Sequence, residues 1–465
     1  MLSGIKKLHF IGIGGVGMSA LAHILLERGW TVSGSDLHET PITRQLAEAG
    51  AEIYAGHKAE NVIDKSVDAI VVSTAIRPDN PEVLAAERLG IRKLHRSDIN
   101  AFLLNSAKGI AVAGAHGKTT TTSMLGVALT AAGLDPTVIV GGVVRDFGSN
   151  ARLGKSGLLV TEADESDGSF LKLRPHIAVV TNVEDDHLDY YGTVERIRAA
   201  FKEFMATVDE KAGSVVVCFD NEDARAIAGQ VRRNIISYGI ENGDYRASNI
   251  ITEANETAFT VSYKGETLGE AKLLIPGLHN VRNALAAIAA ARALGVSFEA
   301  AAAGLMNFHG AKRRFETKGK VNGVWIVDDY AHHPTEIAST IAAARQTKPG
   351  RLIVAFQPHR YSRTQLLAQE FGAAFRGADI LVLSGIYSAG EEPIEGVSGR
   401  TIYDSVVAQT GMKPVYVERR ADVAGKLAEM ARPGDLVMTM GAGDIVNSGE
   451  ELLNLLEAGK DHGNK

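Results

Sequence analysis

The sequence predicts an α/β fold of three domains, on three observations. The chain has 465 residues, more than one hydrophobic core organises, and this length sets about three units of ~100–200 residues each. Its 49 glycines gather at the ends of short apolar runs, the punctuation of repeated strand–loop–helix units. Two of those glycine clusters stand between a strand and a helix. The expected divisions are residues 1–106, 107–314 and 315–465.

Composition is that of a water-soluble globular chain: 45% hydrophobic, 22% charged, mean hydropathy +0.01. The formal net charge is −6, from 49 Lys and Arg against 55 Asp and Glu. A nucleic-acid binder normally carries a basic face, so nucleic acid is not an expected partner. The single cysteine, Cys218, excludes an intrachain disulfide. It lies in the apolar run Val215–Phe219, where it reads as a small buried hydrophobe. The start of the chain has no apolar signal core, and no run reaches the ~18 apolar residues of a membrane span. The expected compartment is the cytoplasm, with no membrane partner and a monomer or weak homodimer.

In the first unit, Leu8–Ile11 reads as a strand, followed by a glycine loop and a helix. Met18, Leu21, Ala22 and Leu25 share one helical face and Gly29 stops it. Further strands are Thr31–Ser33, ending at Asp36, and Ala69–Val72. Asn105–Gly109 reads as a linker. The second unit opens with strand Ile110–Ala113, a second glycine loop and a Thr-rich helix start. Leu158–Val160 and Ile177–Val180 are unbroken apolar runs, the mark of a central parallel sheet. Residues near 246–274 alternate polar and apolar around Gly265, predicting an antiparallel ribbon. The third unit carries strand runs at Val324–Val327, Leu352–Ala355, Ile380–Leu383 and Leu436–Thr439.

Gly12-Ile13-Gly14-Gly15-Val16-Gly17 has the form G-x-G-x-x-G, with Asp36 at the next strand end. Such a turn brings backbone N–H groups and a positive helix terminus to a diphosphate. The pattern requires a diphosphate but not a nicotinamide, because a UDP-sugar carries the same group. The first domain is therefore Rossmann-like.

Gly114-Ala115-His116-Gly117-Lys118-Thr119-Thr120 also joins a strand to a helix. It is a shortened P-loop: backbone amides wrap phosphates, Lys118 reaches the terminal ones and the Thr119 hydroxyl suits Mg²⁺. This makes the second unit a central P-loop ATPase domain. A nucleoside triphosphate needs metal, and metal needs carboxylates. Glu162-Ala163-Asp164-Glu165 and Glu184-Asp185-Asp186-His187 end two strands of the same sheet, on the edge that carries the P-loop. Glu162 and His187 can thus meet Mg²⁺ near Thr119.

Seven blocks in order resemble those of the Mur ligase family. They are Gly114–Thr120, Glu162–Asp167, Asn182–Asp189, His279–Ala284, Arg313–Glu316, Asp328–Thr335 and Gln357–Thr364, and the match runs over essentially the whole chain. The first glycine loop, the acid-rich blocks, His332-His333-Pro334 and Pro358-His359-Arg360-Tyr361 look like the member that adds L-alanine.

The resemblance implies a UDP-sugar domain, a central ATPase domain and a mobile, Rossmann-like C-terminal domain for the amino acid. It implies ATP and Mg²⁺ as cofactors, UDP-N-acetylmuramate and L-alanine as substrates, and an acyl-phosphate intermediate in a step of peptidoglycan precursor synthesis. By resemblance Lys118, Glu162, His187, Arg314 and Asp329 are the catalytic set. Gly114–Thr120, Asn280, Asn283, Arg314, Asp329 and Tyr330 face ATP, with Thr119, Glu162 and His187 on metal. Gly14, Gly15, Val16, Gly17, Met18, Ser19, Asp36, Ser73 and Thr74 serve the sugar nucleotide, and His359, Arg360 and Arg363 hold carboxylates. Related ligases often carry a carbamylated lysine where Phe201 falls here, and no such modification is expected. Asn280 also reads as a helix N-cap, and His332-His333 as half of a zinc site lacking a third ligand at suitable spacing. Open alternatives are a recycling ligase that attaches a peptide to the same UDP-sugar, an NAD-dependent dehydrogenase built on the first loop, and a P-loop switch built on the second.

Overall fold

The structure, a computed structural model, describes residues 4–63, 66–253 and 255–462. It divides into two compact units. The second runs from Gly310 onward and takes in Ile250–Ala258 and Leu273–Val281, and the first holds the remainder. Three sheets form three α/β domains, two of these sheets built largely from the first unit.

The N-terminal sheet contains β1 (Lys7–Ile11), β2 (Thr31–Asp36), β3 (Glu52–Ala55), β4 (Ala69–Val72) and β5 (Arg92–His95) in the order β3-β2-β1-β4-β5. All its pairings are parallel. The chain winds outward from β1 to β3, then returns to the other side of β1 with β4. That reversal opens a crevice at the carboxyl ends of β1 and β4, where a nucleotide site is expected in such sheets. The helix Val16–Glu27 follows β1 and buries Met18, Leu21, Ala22 and Leu25, the face read from the sequence. Strands β3 and β5 were not expected. Both are four-residue edge strands of mixed polarity, and edges need no apolar run. The expected linker is shorter than 105–109. Asn105 ends the helix Arg96–Asn105 and Lys108 already opens β6.

The central sheet holds β6 (Lys108–Ala113), β7 (Thr137–Val144), β8 (Ser149–Arg152), β9 (Leu158–Glu162), β10 (Ile177–Val180), β11 (Ser214–Cys218), β12 (Ile235–Gly239), β13 (Tyr245–Glu253), β14 (Glu256–Tyr263) and β15 (Glu266–Leu273). Its order is β15-β14-β13-β12-β11-β10-β6-β9-β7-β8. From β12 to β7 the pairings are parallel, and β8 closes the edge antiparallel to β7. Strand β10 and, past the exposed Lys108, strand β6 are apolar and buried, as layers covered on both faces must be. Lys264 and Gly265 join β14 to β15 with φ of 51° and 89°. Two residues at positive φ make the tight connection that only antiparallel neighbours accept. Cys218 is buried and burial pushes its thiol pKa up, so it packs as a hydrophobe.

The C-terminal sheet contains β16 (Glu316–Val321), β17 (Val324–Asp329), β18 (Arg351–Phe356), β19 (Ile380–Ser384), β20 (Val415–Val417) and β21 (Asp435–Met440), ordered β16-β17-β21-β18-β19-β20. Only β16 is antiparallel to its neighbour. β16 and β20, absent from the sequence reading, are again edges. β16 is polar and its register shifts between Thr317 and Gly319, which hides the period-2 pattern. Among the described residues no helix is long and apolar enough to cross a membrane.

Candidate active site

Strand β6 is the point where the central sheet reverses. The loop after it therefore sits between the ends of β9 and β10, with Val112 level with Glu162 and Ala113 with Val180. The loop's shape needs glycine twice. Gly114 has φ 139°, and a Cβ there would lie 2.0 Å from Thr181 Oγ1. Gly117 has φ 84°, and its Cβ would meet Asn283 Oδ1 at 2.7 Å. Asn182 clamps the middle of the loop. Its Oδ1 accepts from the His116 N–H at 2.9 Å and its Nδ2 donates to the His116 carbonyl at 3.0 Å. The helix Lys118–Ala131 then begins at once, with Gly117 as its N-cap and Thr119–Thr122 buried along its first turn. The amides of Lys118, Thr119 and Thr120 precede the first intrahelical bond, which runs from the Thr121 N–H to the Gly117 carbonyl, so an anion can take them.

Lys118 folds back over the loop. Its Nζ donates to the carbonyl oxygens of Gly114 at 2.5 Å and Ala115 at 3.2 Å, and to Glu165 Oε1 at 2.7 Å. Burial alone would lower the lysine pKa. Glu165, Asp164 and Glu162 outweigh it and hold the ammonium charged. Glu165 also lies 3.5 Å from His187 Nε2, and its Oε2 is buried with no hydrogen-bond partner among the described residues. His187 sits at φ 60°, a strained setting for a non-glycine residue. Burial pushes its pKa down, but Glu165 and Asp186 push it further up. Glu162 points the other way along the edge, its Oε1 accepting the Gly141 N–H from β7 at 2.6 Å. The structure thus gathers Lys118, His187 and Glu165 directly and sets Glu162 beside β7. Phe201 is 1% exposed and packs edge-on against Phe170 at 5.3 Å.

At the first glycine loop, Gly14 donates its N–H to Asp36 Oδ2 at 2.8 Å. One oxygen of the strand-end acid is therefore engaged by the loop itself. Asn150 of β8 donates to the Val16 carbonyl at 2.6 Å and to Ser19 Oγ at 3.0 Å. Ser73 and Thr74 follow β4 at the same sheet edge, half-buried and exposed. Asn283, expected at adenine, lies against Gly117. Asn280 is not an N-cap. It is the third residue of the helix Leu278–Ala293, and its Nδ2 reaches back to the Pro276 carbonyl at 2.6 Å.

The C-terminal unit assembles its own cluster. Tyr330 lies between two guanidinium groups, Arg313 at 4.9 Å and Arg314 at 5.4 Å from the ring centre. Arg313 is committed to Asp328 and the Gly441 carbonyl, whereas Arg314 has a loose pairing with Glu336 at 3.7 Å. Asp329 is buried beneath, accepting the N–H groups of Phe315 at 2.7 Å and Ala331 at 2.8 Å. Burial pushes its pKa up to about 6, against the pull of Arg314 and the two amides. An aromatic series continues from Tyr330 to His332 at 5.2 Å, His359 at 5.9 Å and Tyr387 at 5.7 Å. Burial, with Arg363 nearby, takes the pKa of both histidines down to about 4, so both are neutral at pH 7. Arg360 holds φ 71° and donates its N–H to the Tyr387 carbonyl. His333 caps the helix Pro334–Gln346.

Sequence reasoning missed Asn182 and Glu165 as partners of the P-loop, and Glu336 and Tyr387 in the C-terminal cluster. The first two stood inside blocks that had been noticed. Glu336 and Tyr387 carried no local signal.

Two glycine turns on adjoining sheets, one of them a P-loop closed on a lysine–carboxylate pair, define a nucleotide-using α/β enzyme. The chain matches three family models: Mur ligase family, catalytic domain, over residues 7–108; Mur ligase middle domain, over 112–291; and Mur ligase, glutamate ligase domain, over 313–443. This chain belongs to the Mur ligase family. It is 50% identical over 454 residues to the UDP-N-acetylmuramate–L-alanine ligase of Pelotomaculum thermopropionicum, covering 97% of this chain and 98% of the relative. It is 48% identical over 460 residues to the enzyme of that name from Geobacter sulfurreducens, covering 98% and 99%. Among solved structures it superposes on UDP-N-acetylmuramate-alanine ligase from Thermotoga maritima with a TM-score of 0.84 at 30% identity, covering 97% and 99%. A murein peptide ligase from Psychrobacter arcticus gives 0.73 at 28%, covering 97% and 98%.

Proposed function

We propose that this protein joins L-alanine to UDP-N-acetylmuramate with ATP as the energy source, a step of peptidoglycan precursor synthesis in the cytoplasm. The observation that carries this reading is the 50% identity, over nearly the full length of both chains, to a UDP-N-acetylmuramate–L-alanine ligase. The murein peptide ligase structure is more distant in sequence, at 28%.

A carboxylate does not acylate an amine in neutral water without activation. ATP supplies the activation: the substrate carboxylate takes the γ-phosphoryl group, ADP leaves, and the amine of alanine then displaces phosphate from the acyl carbon. The chain's part is to seat, neutralise and dehydrate. The amides of the Gly114–Thr120 turn are placed for phosphate oxygens, and Lys118 for the terminal ones, once it exchanges Glu165 for phosphate. Asn280, Asn283, Arg314, Asp329 and Tyr330 complete the nucleotide set in this reading. The residues suit Mg²⁺: a hydroxyl at Thr119, carboxylates at Glu162 and Glu165, and a buried Glu165 oxygen with no partner among the described residues make a hard-oxygen set. Thr119, Glu162 and His187 would hold the ion, His187 adding a nitrogen to these oxygens with Glu165 3.5 Å from it, and the ion would supply charge neutralisation at the phosphates. His359, Arg360 and Arg363 are assigned to the carboxylates, and the Gly14–Ser19 turn with Asp36, Ser73 and Thr74 to the UDP-sugar.

The deciding experiment is phosphate release from ATP in the presence of UDP-N-acetylmuramate, adding each amino acid and a murein tripeptide in turn. Release with L-alanine and not with the peptide is the expected result. Release only with peptide moves the protein to the recycling activity, and release with no acceptor removes the ligase reading.

A further inference from the structure

We propose that Arg96 binds the diphosphate of the sugar nucleotide. The inference rests on the reading of the first glycine turn as the UDP-sugar seat, and adds a side chain that no glycine motif contains.

Arg96 opens the helix Arg96–Asn105, directly after β5. Its guanidinium lies on the first turn of the helix Val16–Glu27. A Cβ on Gly17 would stand 3.3 Å from Nη1 and 3.9 Å from Cδ and Cζ. Glycine at 17 thus leaves room for the arginine as well as for a phosphate. The amides of Val16 and Gly17 are the first two of that helix, out of reach of intrahelical bonding, so cation and amides face one small region.

The arginine is held in this place from both ends. At its base, the His95 N–H donates to Asp98 Oδ2 at 2.8 Å, and Lys172 Nζ donates to Asp98 Oδ1 at 2.7 Å and Ser97 Oγ at 2.9 Å. At its tip, Nη2 donates to Asp164. That carboxylate is itself fixed by the N–H and Oγ of Ser166, at 3.1 and 2.6 Å. A guanidinium has five N–H donors in a planar fork, and Asp164 occupies one edge of it. The glycine turn is steadied from the other side by Asn150 on the Val16 carbonyl and Ser19.

Charge gives the reason a cation belongs here. Two carboxylates flank the turn, Asp36 on the Gly14 amide and Asp164 beyond Arg96. A diphosphate seated without Arg96 would face both. With it, the phosphates meet a guanidinium already fixed by Asp164, with Nη1 on the Gly17 side, a charge-assisted donor to phosphate oxygens.

The test uses the full chain and two probes, UDP and uridine, which share the base and differ in the diphosphate. In titration calorimetry or ligand-observed NMR, Arg96→Ala should weaken UDP about tenfold or more and leave uridine unchanged, with Arg96→Lys in between. Asp164→Asn breaks the same ion pair but keeps the guanidinium, so it should retain UDP affinity. If Arg96→Ala lowers the melting temperature sharply, Arg96→Gln replaces it in the same comparison. Equal weakening of UDP by the Arg96 and Asp164 variants would show a merely structural pair and overturn the proposal, as would a wild-type UDP affinity in Arg96→Ala. Failure of the wild-type chain to bind UDP or UDP-N-acetylmuramate would instead overturn the underlying sugar-nucleotide reading.

Discussion

Lys118 Nζ stands 2.7 Å from Glu165 Oε1, in a pair whose side chains are 18% and 3% exposed. The lysine that a P-loop offers to phosphates is here already neutralised, by a carboxylate from the next strand's end. Nucleotide binding must therefore exchange one anionic partner for another. The cation is held charged and desolvated beforehand, which removes part of the reorganisation that a solvated lysine would need.

Removing the lysine should stop the chemistry and spare the first substrate. Lys118→Ala is expected to lower ATP-dependent phosphate release on the order of a hundredfold or more, with UDP-N-acetylmuramate binding largely intact by calorimetry. Normal turnover in this variant would take the P-loop out of the mechanism.

Removing the carboxylate should reveal the exchange. Glu165→Gln leaves a buried ammonium with only carbonyl acceptors, at a cost of about 3 kcal/mol or more to the ligand-free protein. ATP supplies replacement charge, so the melting-temperature gap between variant and wild type should narrow when ATP is present. A gap that is the same with and without ATP refutes the exchange.

Gly117→Ala should damage the loop for two separable reasons. The φ of 84° costs an alanine about 1–2 kcal/mol. The new Cβ also meets Asn283 Oδ1 at 2.7 Å. Adding Asn283→Ala relieves the collision but not the strain, so denaturant melts of the double variant should recover only part of the loss. Full recovery would show that the backbone conformation is not demanding.

Asp329 makes stability fall as pH rises. Its pKa is raised from 3.8 to about 6 by burial, so the folded protein keeps the proton longer than the unfolded chain. The acid does not oppose folding below pH 4. Between about pH 4 and 6 the folded state binds more protons, and stability declines, by up to about 3 kcal/mol once the group is ionised. Asp329→Asn should flatten this window in pH-dependent denaturation curves, although it gives up one of the two amide contacts. An unchanged slope would mean that Asp329 ionises at its ordinary pKa.

The glycine turns were legible in the sequence because their chemistry is local: strand, glycines, lysine and helix start stand side by side. Glu165 was visible but ambiguous. The run Glu162-Ala163-Asp164-Glu165 offers three acids, and only the turn of the chain after β9 sends one to Lys118, one to Arg96 and one to Gly141. The resemblance singled out Arg314 over Arg313, and the fold shows a physical difference between them: Arg313 is committed to Asp328. Tyr387 joins His359 through a strand-like pairing across the sheet edge, a contact between residues far apart in sequence with no periodic signature. Five of the overlooked strands, β3, β5, β8, β16 and β20, are sheet edges, where mixed polarity or short length weakens the pattern used to find strands; β7, β11 and β12 lie inside the central sheet and were overlooked as well.

The solitary thiol of Cys218, shut inside β11, has a practical consequence. A cysteine introduced on the surface would be the one residue open to a maleimide dye, with no native thiol to remove first. Pairs of such dyes, one on each compact unit, would report their separation during turnover in the otherwise unaltered chain.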